Sequence, residues 1–436
     1  MIRYPLLEPG ATIGVTAPSS GVSPDMHELL KQAMRRMENQ GFAVSGGDTI
    51  WTQYKAKSAP ARLRAEELNR MLQEERIGLV LPPWGGELLV EVLEYIDYER
   101  IGEKWLLGYS DISLLLLAVT LKTGIATAHG TNLLDLRSEI VDETTAKWHE
   151  ALTTPAGGSF EQRSSELYQI EWKAAAEEAG ADTSEESALR LAGASDGDAF
   201  EAARSATSGG DSFHRTETVA IQDGTFGRLG SEAADGGLFR VSGPEASRNE
   251  GAFESARADA PNESSFNPTV PETSAGSVFN LTEPTVWRSV SGSDVGLKGR
   301  LLGGCIDVIR HLVGTPYGDV RAFRERHIPG EPVLWYLENC ELNTADLRRS
   351  LVQMKLAGWF ENCSGLMFGR SPANTPVDGY TAEDVYRDMS EELGVPVLYD
   401  IDCGHMPPQL TLINGAMAQV EFSEEKGRAS VLQIFK

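Results

Sequence analysis

Between residues 12 and 119 short β-rich apolar runs alternate with longer amphipathic ones, and this alternation leaves the chain few folds to choose from. Thr12-Ile-Gly-Val-Thr-Ala17 ends in Pro18-Ser-Ser-Gly21, and Pro24-Asp25 opens a helical pattern that runs to residue 37. Gly41-Phe-Ala-Val44 predicts a second strand, residues 61–75 a second helix, and Ile77-Gly-Leu-Val-Leu81 a third strand. Pro82-Pro-Trp-Gly-Gly-Glu87 then precedes a helix predicted over 88–95. Strands that alternate with helices imply a parallel, doubly wound α/β sheet. In such sheets ligands bind beyond the carboxyl ends of the strands, so the loops 18–21, 82–87 and 108–111 point at one rim.

The third loop carries the first candidate chemistry. Trp105-Leu-Leu-Gly108 runs through Tyr109-Ser-Asp111 into a long apolar stretch beginning Ile112-Ser-Leu-Leu. A buried strand that turns sharply into a helix exposes the side chain at its apex, here Ser110. It also leaves the Asp111 N–H where an oxyanion could be received at a helix N-terminus. A structural turn has the same outline, and serine is a poor nucleophile without a base and a group that orients the base. Gly85 and Gly86 permit close backbone approach and a second oxyanion donor, or simply a tight turn. His129, after another short strand-like run, reads either as a packed core histidine or as a base.

At 436 residues the chain is long enough for two filled cores. The divisions expected are a first domain over 1–155, a linker over 156–297 with an insert at about 174–278, and a second domain over 298–436. With 39 Lys+Arg against 64 Asp+Glu, the net charge of −25 argues against nucleic acid or an anionic membrane as partner. No apolar run approaches the roughly 20 residues of a membrane helix, and no basic-then-apolar leader opens the chain, so a cytoplasmic location is expected. Cys305, Cys340, Cys363 and Cys403 stand far apart without a C-x-x-C pair, which predicts reduced thiols and no zinc site. No metal or other cofactor is expected.

The insert has a different character. Residues 174–278 hold 19 acidic residues, 7 arginines and no lysine in a Gly/Ser/Ala-rich background. Such a composition buries too little apolar surface to offset chain entropy, which predicts disorder. Against that, Phe200, Phe213, Phe226, Phe239, Phe253, Phe266 and Phe279 recur every 13 or 14 residues, the mark of a tandem repeat. Disorder with aromatic stickers and a small stacked module are both open readings.

Organised sequence resumes at Phe279-Asn-Leu-Thr-Glu-Pro-Thr-Val-Trp287. Lys298-Gly-Arg-Leu-Leu-Gly-Gly-Cys305 leads to a helix predicted over 308–313, and Val333-Leu-Trp-Tyr-Leu337 is a strand that ends on Glu338. Thr344 is the predicted N-cap of the next helix. Ser364-Gly-Leu-Met-Phe-Gly369 and Val395-Pro-Val-Leu-Tyr399 are further strands, and Asn414-Gly415 is a final turn. His405 follows Gly404 just past a strand end, so Glu338 and His405 both fall on loops that can face Ser110. Of the other histidines, His27, His149 and His311 fall on predicted helices, His327 precedes a Pro-Gly loop, and His214 lies among the repeats.

Gly108-Tyr-Ser-Asp111, Gly85-Gly86 before a helix, Gly303-Gly304 with Gly314-Thr315, Leu337-Glu338 and Gly404-His405 form an ordered set. Together they resemble the LD-carboxypeptidase family of serine peptidases over roughly 1–170 and 279–436. Thr282-Glu-Pro-Thr-Val-Trp287 and Lys298-Gly-Arg-Leu-Leu-Gly-Gly-Cys305 resemble the microcin C self-immunity branch. The resemblance implies a Rossmann-like N-terminal domain carrying Ser110, a smaller β-rich C-terminal domain carrying Glu338 and His405, a homodimer and no metal. It implies an oxyanion hole from Asp111 with Gly85 or Gly86, and hydrolysis of an amide through an acyl-enzyme. The implied substrate is a small peptide or peptidyl-nucleotide, with Trp172, Tyr168 and Trp84 as substrate-binding candidates. Trimming of murein tetrapeptides and a catalytically silent binding protein are the alternatives.

Overall fold

Five parallel strands, β1 (Thr12–Val15), β2 (Ala43–Gly46), β3 (Ile77–Val80), β4 (Trp105–Gly108) and β5 (Thr127–His129), lie in the order β2-β1-β3-β4-β5 in the computed structural model. It describes residues 1–170 and 277–436, and all of these fall within one unit, Met1–Thr183 with Glu272–Lys436. From β1 the chain steps outward to β2 and then returns past β1 to β3, so the strand order reverses between β1 and β3. A crevice opens at such a switch point, and the loops after β1 and β3 border it.

Helices α1 (His27–Asn39) and α2 (Ala61–Gln73) are amphipathic, while α3 (Ile112–Thr123) is buried at every residue from 112 to 121. Its apolar residues all around the axis are what a helix between two layers requires. The predicted helix at 88–95 is instead a 3-10 turn, Leu89–Tyr95. The Leu88 carbonyl that would start α-type bonding accepts from Glu91 N–H at 3.3 Å and from the Arg64 guanidinium at 3.0 Å, and the Leu89 N–H donates to the Asp111 carboxylate.

The second layer is an eight-stranded mixed sheet. In chain order the remaining strands are β6 (Ser159–Arg163), β7 (Leu167–Tyr168), β8 (Glu283–Pro284), β9 (Arg288–Ser289), β10 (Val295–Cys305), β11 (Val333–Glu338), β12 (Cys363–Gly369), β13 (Val397–Ile401), β14 (Leu412–Asn414), β15 (Met417–Ser423) and β16 (Arg428–Ile434). The sheet order is β6-β16-β15-β10-β11-β12-β13-β9, with β10 to β13 parallel and the flanks antiparallel. β7 and β8 pair alone, as the ribbon from which the insert departs.

β14 belongs to neither flank of that sheet. It pairs antiparallel with β5, so the Asn414-Gly415 turn carries the chain from the first sheet to the second rather than closing a hairpin. The helix Thr344–Leu356 is capped by Asn343, whose side chain accepts from Asp346 N–H. Thr344 is the first helical residue, and its hydroxyl donates to the Tyr380 carbonyl instead. Among the described residues no helix is long and apolar enough to cross a membrane. The phenylalanines from 200 to 266 lie outside the described residues.

Candidate active site

The β4-to-α3 turn gives Ser110 a φ of 62°, in the left-handed region that a non-glycine residue occupies only when its surroundings demand it. Three contacts make that demand. Ser113 N–H donates to the Ser110 carbonyl at 2.9 Å. Asn132 Oδ1 accepts from Tyr109 N–H at 3.4 Å. The buried Asp111 carboxylate accepts from the Ser19 hydroxyl at 2.5 Å and from Leu89 N–H at 2.9 Å, which ties the loops after β1 and β3 to the turn. Burial, opposed by the Ser19 and Leu89 hydrogen bonds, raises the Asp111 pKa to about 6.

Gly85 lies against the turn so closely that a Cβ there would stand 2.6 Å from Ser110 Cβ and 2.7 Å from Ser110 Oγ. Its carbonyl accepts from Ser20 N–H at 3.3 Å. Because the peptide is planar and trans, the Gly86 N–H points the opposite way. Among the described residues neither that N–H nor the Asp111 N–H has an acceptor.

From the second sheet come Glu338, the last residue of β11, and His405, just past β13. His405 Nε2 lies 3.0 Å from Ser110 Oγ, and His405 Nδ1 lies 2.9 Å from Glu338 Oε2. The His405 loop crosses Glu338 at Gly404, with a φ of 105°, where a Cβ would come within 2.5 Å of Glu338 Oε2. Both side chains are buried, His405 at 4% and Glu338 at 1% exposure. Burial disfavours charge on His405, but the Glu338 charge, a contact with the Cys340 thiol and the Glu338 hydrogen bond outweigh it and hold its pKa well above the ordinary imidazole value. For Glu338 burial acts to raise the pKa, and the charge and hydrogen bond of His405 reverse the sign.

His129 packs behind this arrangement. Its Nδ1 lies 3.8 Å from Cys403 Sγ, its ring meets Tyr336 at 5.4 Å, and burial lowers its pKa to about 4. No hydrogen bond joins it to Ser110 among the described residues, so it takes the packed-core reading.

Ser110 and His405 open onto a cavity of about 390 Å³. Trp84, Gly85, Gly86, Gln169, Phe279 and Cys340 are among its lining residues. The Trp84 indole N–H donates to the carbonyls of Ser20 and Gly21, which fixes the ring in the wall. Tyr168 stands outside the lining; its ring lies 4.6 Å from the Arg370 guanidinium. Trp172 lies outside the described residues. Gln169, Glu341 and Gln409 also line the cavity and were not singled out in the sequence. Glu341 could have been suspected from its place three residues after Glu338, whereas nothing local marks Gln409. Among the described residues no cluster of His, Cys, Asp or Glu is arranged to hold a metal ion.

Two family models match the chain: the LD-carboxypeptidase N-terminal domain over residues 13–130 and the LD-carboxypeptidase C-terminal domain over 298–420. A putative carboxypeptidase of Vibrio cholerae is 33% identical over 149 residues, 33% of this chain and 45% of that protein. The microcin C7 self-immunity protein of Escherichia coli is 26% identical over 156 residues, 35% of this chain and 45% of that protein. A probable murein peptide carboxypeptidase of Bacillus subtilis is 31% identical over 126 residues, 28% of this chain and 39% of that protein. The matched stretch thus spans less than half the length of each of these relatives. Among solved structures, a protein like the microcin self-immunity protein, from Bacillus anthracis, superposes with a TM-score of 0.63 at 18% identity, covering 100% of this chain and 99% of that one. The microcin C7 self-immunity protein in complex with aspartyl sulfamoyl adenosine superposes with a TM-score of 0.62 at 15% identity, covering 100% and 99%.

Proposed function

We propose that this chain, which belongs to the LD-carboxypeptidase family of serine peptidases, is a serine carboxypeptidase with Ser110, His405 and Glu338 as its catalytic triad. The observation that carries this reading is the unbroken run of contacts from Ser110 Oγ to His405 Nε2 at 3.0 Å and from His405 Nδ1 to Glu338 Oε2 at 2.9 Å. Ser110 Oγ attacks the scissile carbonyl carbon as its proton passes to His405 Nε2, and Glu338 stabilises the imidazolium and holds the tautomer. The oxyanion accepts from the Asp111 N–H and the Gly86 N–H, with Gly85 clearing the approach. His405 then returns the proton to the leaving amine, and a water activated by the same imidazole releases the acyl group.

For substrate we favour a peptidyl-nucleotide of the microcin C type, which would make the chain a self-immunity or detoxification enzyme. Support comes from the sequence elements at 282–287 and 298–305 and from the related fold that holds aspartyl sulfamoyl adenosine. The second reading, trimming of murein tetrapeptides, draws on the Bacillus subtilis relative. We keep the divisions 1–155 and 298–436 around the insert as part of this reading, supported by family models over 13–130 and 298–420. We also read the protein as a cytoplasmic homodimer, which analytical ultracentrifugation and fractionation can check.

The test is a two-part assay. A fluorophosphonate probe should label the wild type and leave Ser110→Ala unlabelled; equal labelling of both would remove Ser110 as nucleophile, and no labelling of either would favour a silent binding protein. Turnover of an aspartyl sulfamoyl adenosine panel should exceed that of murein tetrapeptides. The reverse order would overturn the substrate assignment while leaving the triad intact.

A further inference from the structure

Asp402, three residues before His405 and fully buried, gathers donors from both ends of the insert. Its Oδ2 accepts from Ser165 N–H at 2.9 Å and from the Trp287 indole N–H at 2.9 Å. Its Oδ1 accepts from the Ser165 hydroxyl at 2.5 Å and from the Arg370 guanidinium at 2.5 Å. Ser165 precedes β7 and Trp287 follows β8, so one carboxylate holds both legs of the ribbon from which the insert departs. Arg370 extends the tie, since its guanidinium also lies over the Tyr168 ring of β7.

The same ribbon leads into the cavity. Gln169, next after β7, lines the cavity, and its N–H donates to the Pro407 carbonyl at 2.9 Å, two residues beyond His405. The His405 loop is therefore bonded to the ribbon on both sides of the histidine. Charge-assisted hydrogen bonds inside a protein are short and directional, so a shift of the ribbon moves the imidazole with it. Displacements of about 1 Å at a reacting pair cost on the order of a hundredfold in rate.

We propose that Asp402 is a positioning residue through which the ribbon flanking the insert sets the distance between His405 Nε2 and Ser110 Oγ. Substrate contact at the ribbon end of the cavity is thereby transmitted to the catalytic base. This rests on the assignment of Ser110 and His405 above.

The experiment uses full-length Asp402→Asn, Trp287→Phe and Ser165→Ala, with Arg300→Lys as a control that disturbs the ion pair of buried Arg300 with half-buried Glu331 in another part of the fold. Two readouts are taken: the second-order rate of Ser110 labelling by a small fluorophosphonate, and kcat and KM on the panel's turned-over substrate. Asp402→Asn is expected to lower the labelling rate and kcat together by about tenfold to a hundredfold, with KM nearly unchanged. Trp287→Phe and Ser165→Ala, which each remove a single donor group, should move both rates in the same direction by smaller factors. Arg300→Lys should lower the thermal midpoint without changing the labelling rate of the folded enzyme. Asp402→Asn that loses thermal stability but keeps the wild-type labelling rate and kcat would show a merely structural carboxylate and overturn the proposal. If Asp402→Asn does not fold, wild-type rates in both single-donor variants overturn it equally. A wild type that is not labelled removes the serine assignment itself and this proposal with it, an outcome distinct from equal rates across labelled variants.

Discussion

On the first sheet Ser110 is presented by a turn at φ 62° with Gly85 pressed against it, whereas on the second sheet His405, beyond the close pass of Gly404 over Glu338, is held by side-chain hydrogen bonds, directly to Glu338 and, in its loop, from Asp402 to the ribbon. A backbone device is close to all-or-none: with the strained φ of Ser110 and a Gly85 whose added Cβ would stand 2.6 Å from Ser110 Cβ, there is no room for a methyl group. A hydrogen-bonded device is graded, because each donor or charge can be removed singly and the remainder still hold the loop. The difference predicts that substitutions around Ser110, the proposed nucleophile, cost most of the activity in one step, while those around His405, the proposed base, reduce it in increments and change its pH dependence.

The largest effect should come from Ser110→Ala. Turnover is expected to fall by several orders of magnitude while the thermal midpoint stays close to wild type, because a half-exposed hydroxyl contributes little to the core. Single-turnover kinetics beside calorimetry would measure both, and wild-type activity would refute the nucleophile.

Next in size is Gly85→Ala. The added Cβ must push on Ser110 or on the Asp111 N–H, which would lie 3.1 Å away, so kcat should fall by about 10²–10³. A loss under threefold would show that the first wall is as adjustable as the second and break the contrast.

Glu338→Gln should be the mildest, about tenfold to a hundredfold in kcat, since an amide oxygen can still accept from His405 Nδ1. Its distinguishing mark is the pH profile. In the proposed mechanism the neutral imidazole is the base, so kcat/KM should fall as pH drops through the His405 pKa, which Glu338 holds above the ordinary value. Removing that charge should move the acid limb to lower pH; an unmoved limb would assign the limb to another group. Stability runs the other way. With the His405 pKa raised on folding, the ion pair stabilises the fold below the unfolded imidazole pKa, and the contribution fades as pH rises through the folded one.

Much of the first wall could be read from residues in sequence, because it is built locally. Gly108-Tyr-Ser-Asp111 contains its strand end, apex and helix start within four residues, and alternating apolar runs mark β1 to β4 before any contact is known. Glu338 and His405 could be placed at strand ends, but the 3.0 Å approach of His405 to Ser110 depends on two layers meeting, which no local pattern encodes. β14 was invisible as a separate strand for the same reason: Leu412–Asn414 is three residues long and finds its partner 280-odd positions earlier in β5. Adjacent Asn and Thr both suit an N-cap, so the sequence points to Thr344; the structure caps with Asn343, because the threonine hydroxyl is engaged by the Tyr380 and Thr375 carbonyls and by Val377 N–H. Tyr168 reads as a substrate aromatic by position, yet Arg370 lies over its ring.

The pairing of β14 with β5 also bears on how the molecule comes into being. During synthesis the first sheet has every strand from β1 to β5 by residue 129, but the free edge of β5 waits for residues 412–414. An uncovered edge is a template for pairing with other chains, so nascent and truncated forms are the species most exposed to aggregation. The strand that seals that edge follows His405 by seven residues, so the sheet that carries Ser110 is closed only after all three residues of the proposed triad have been made.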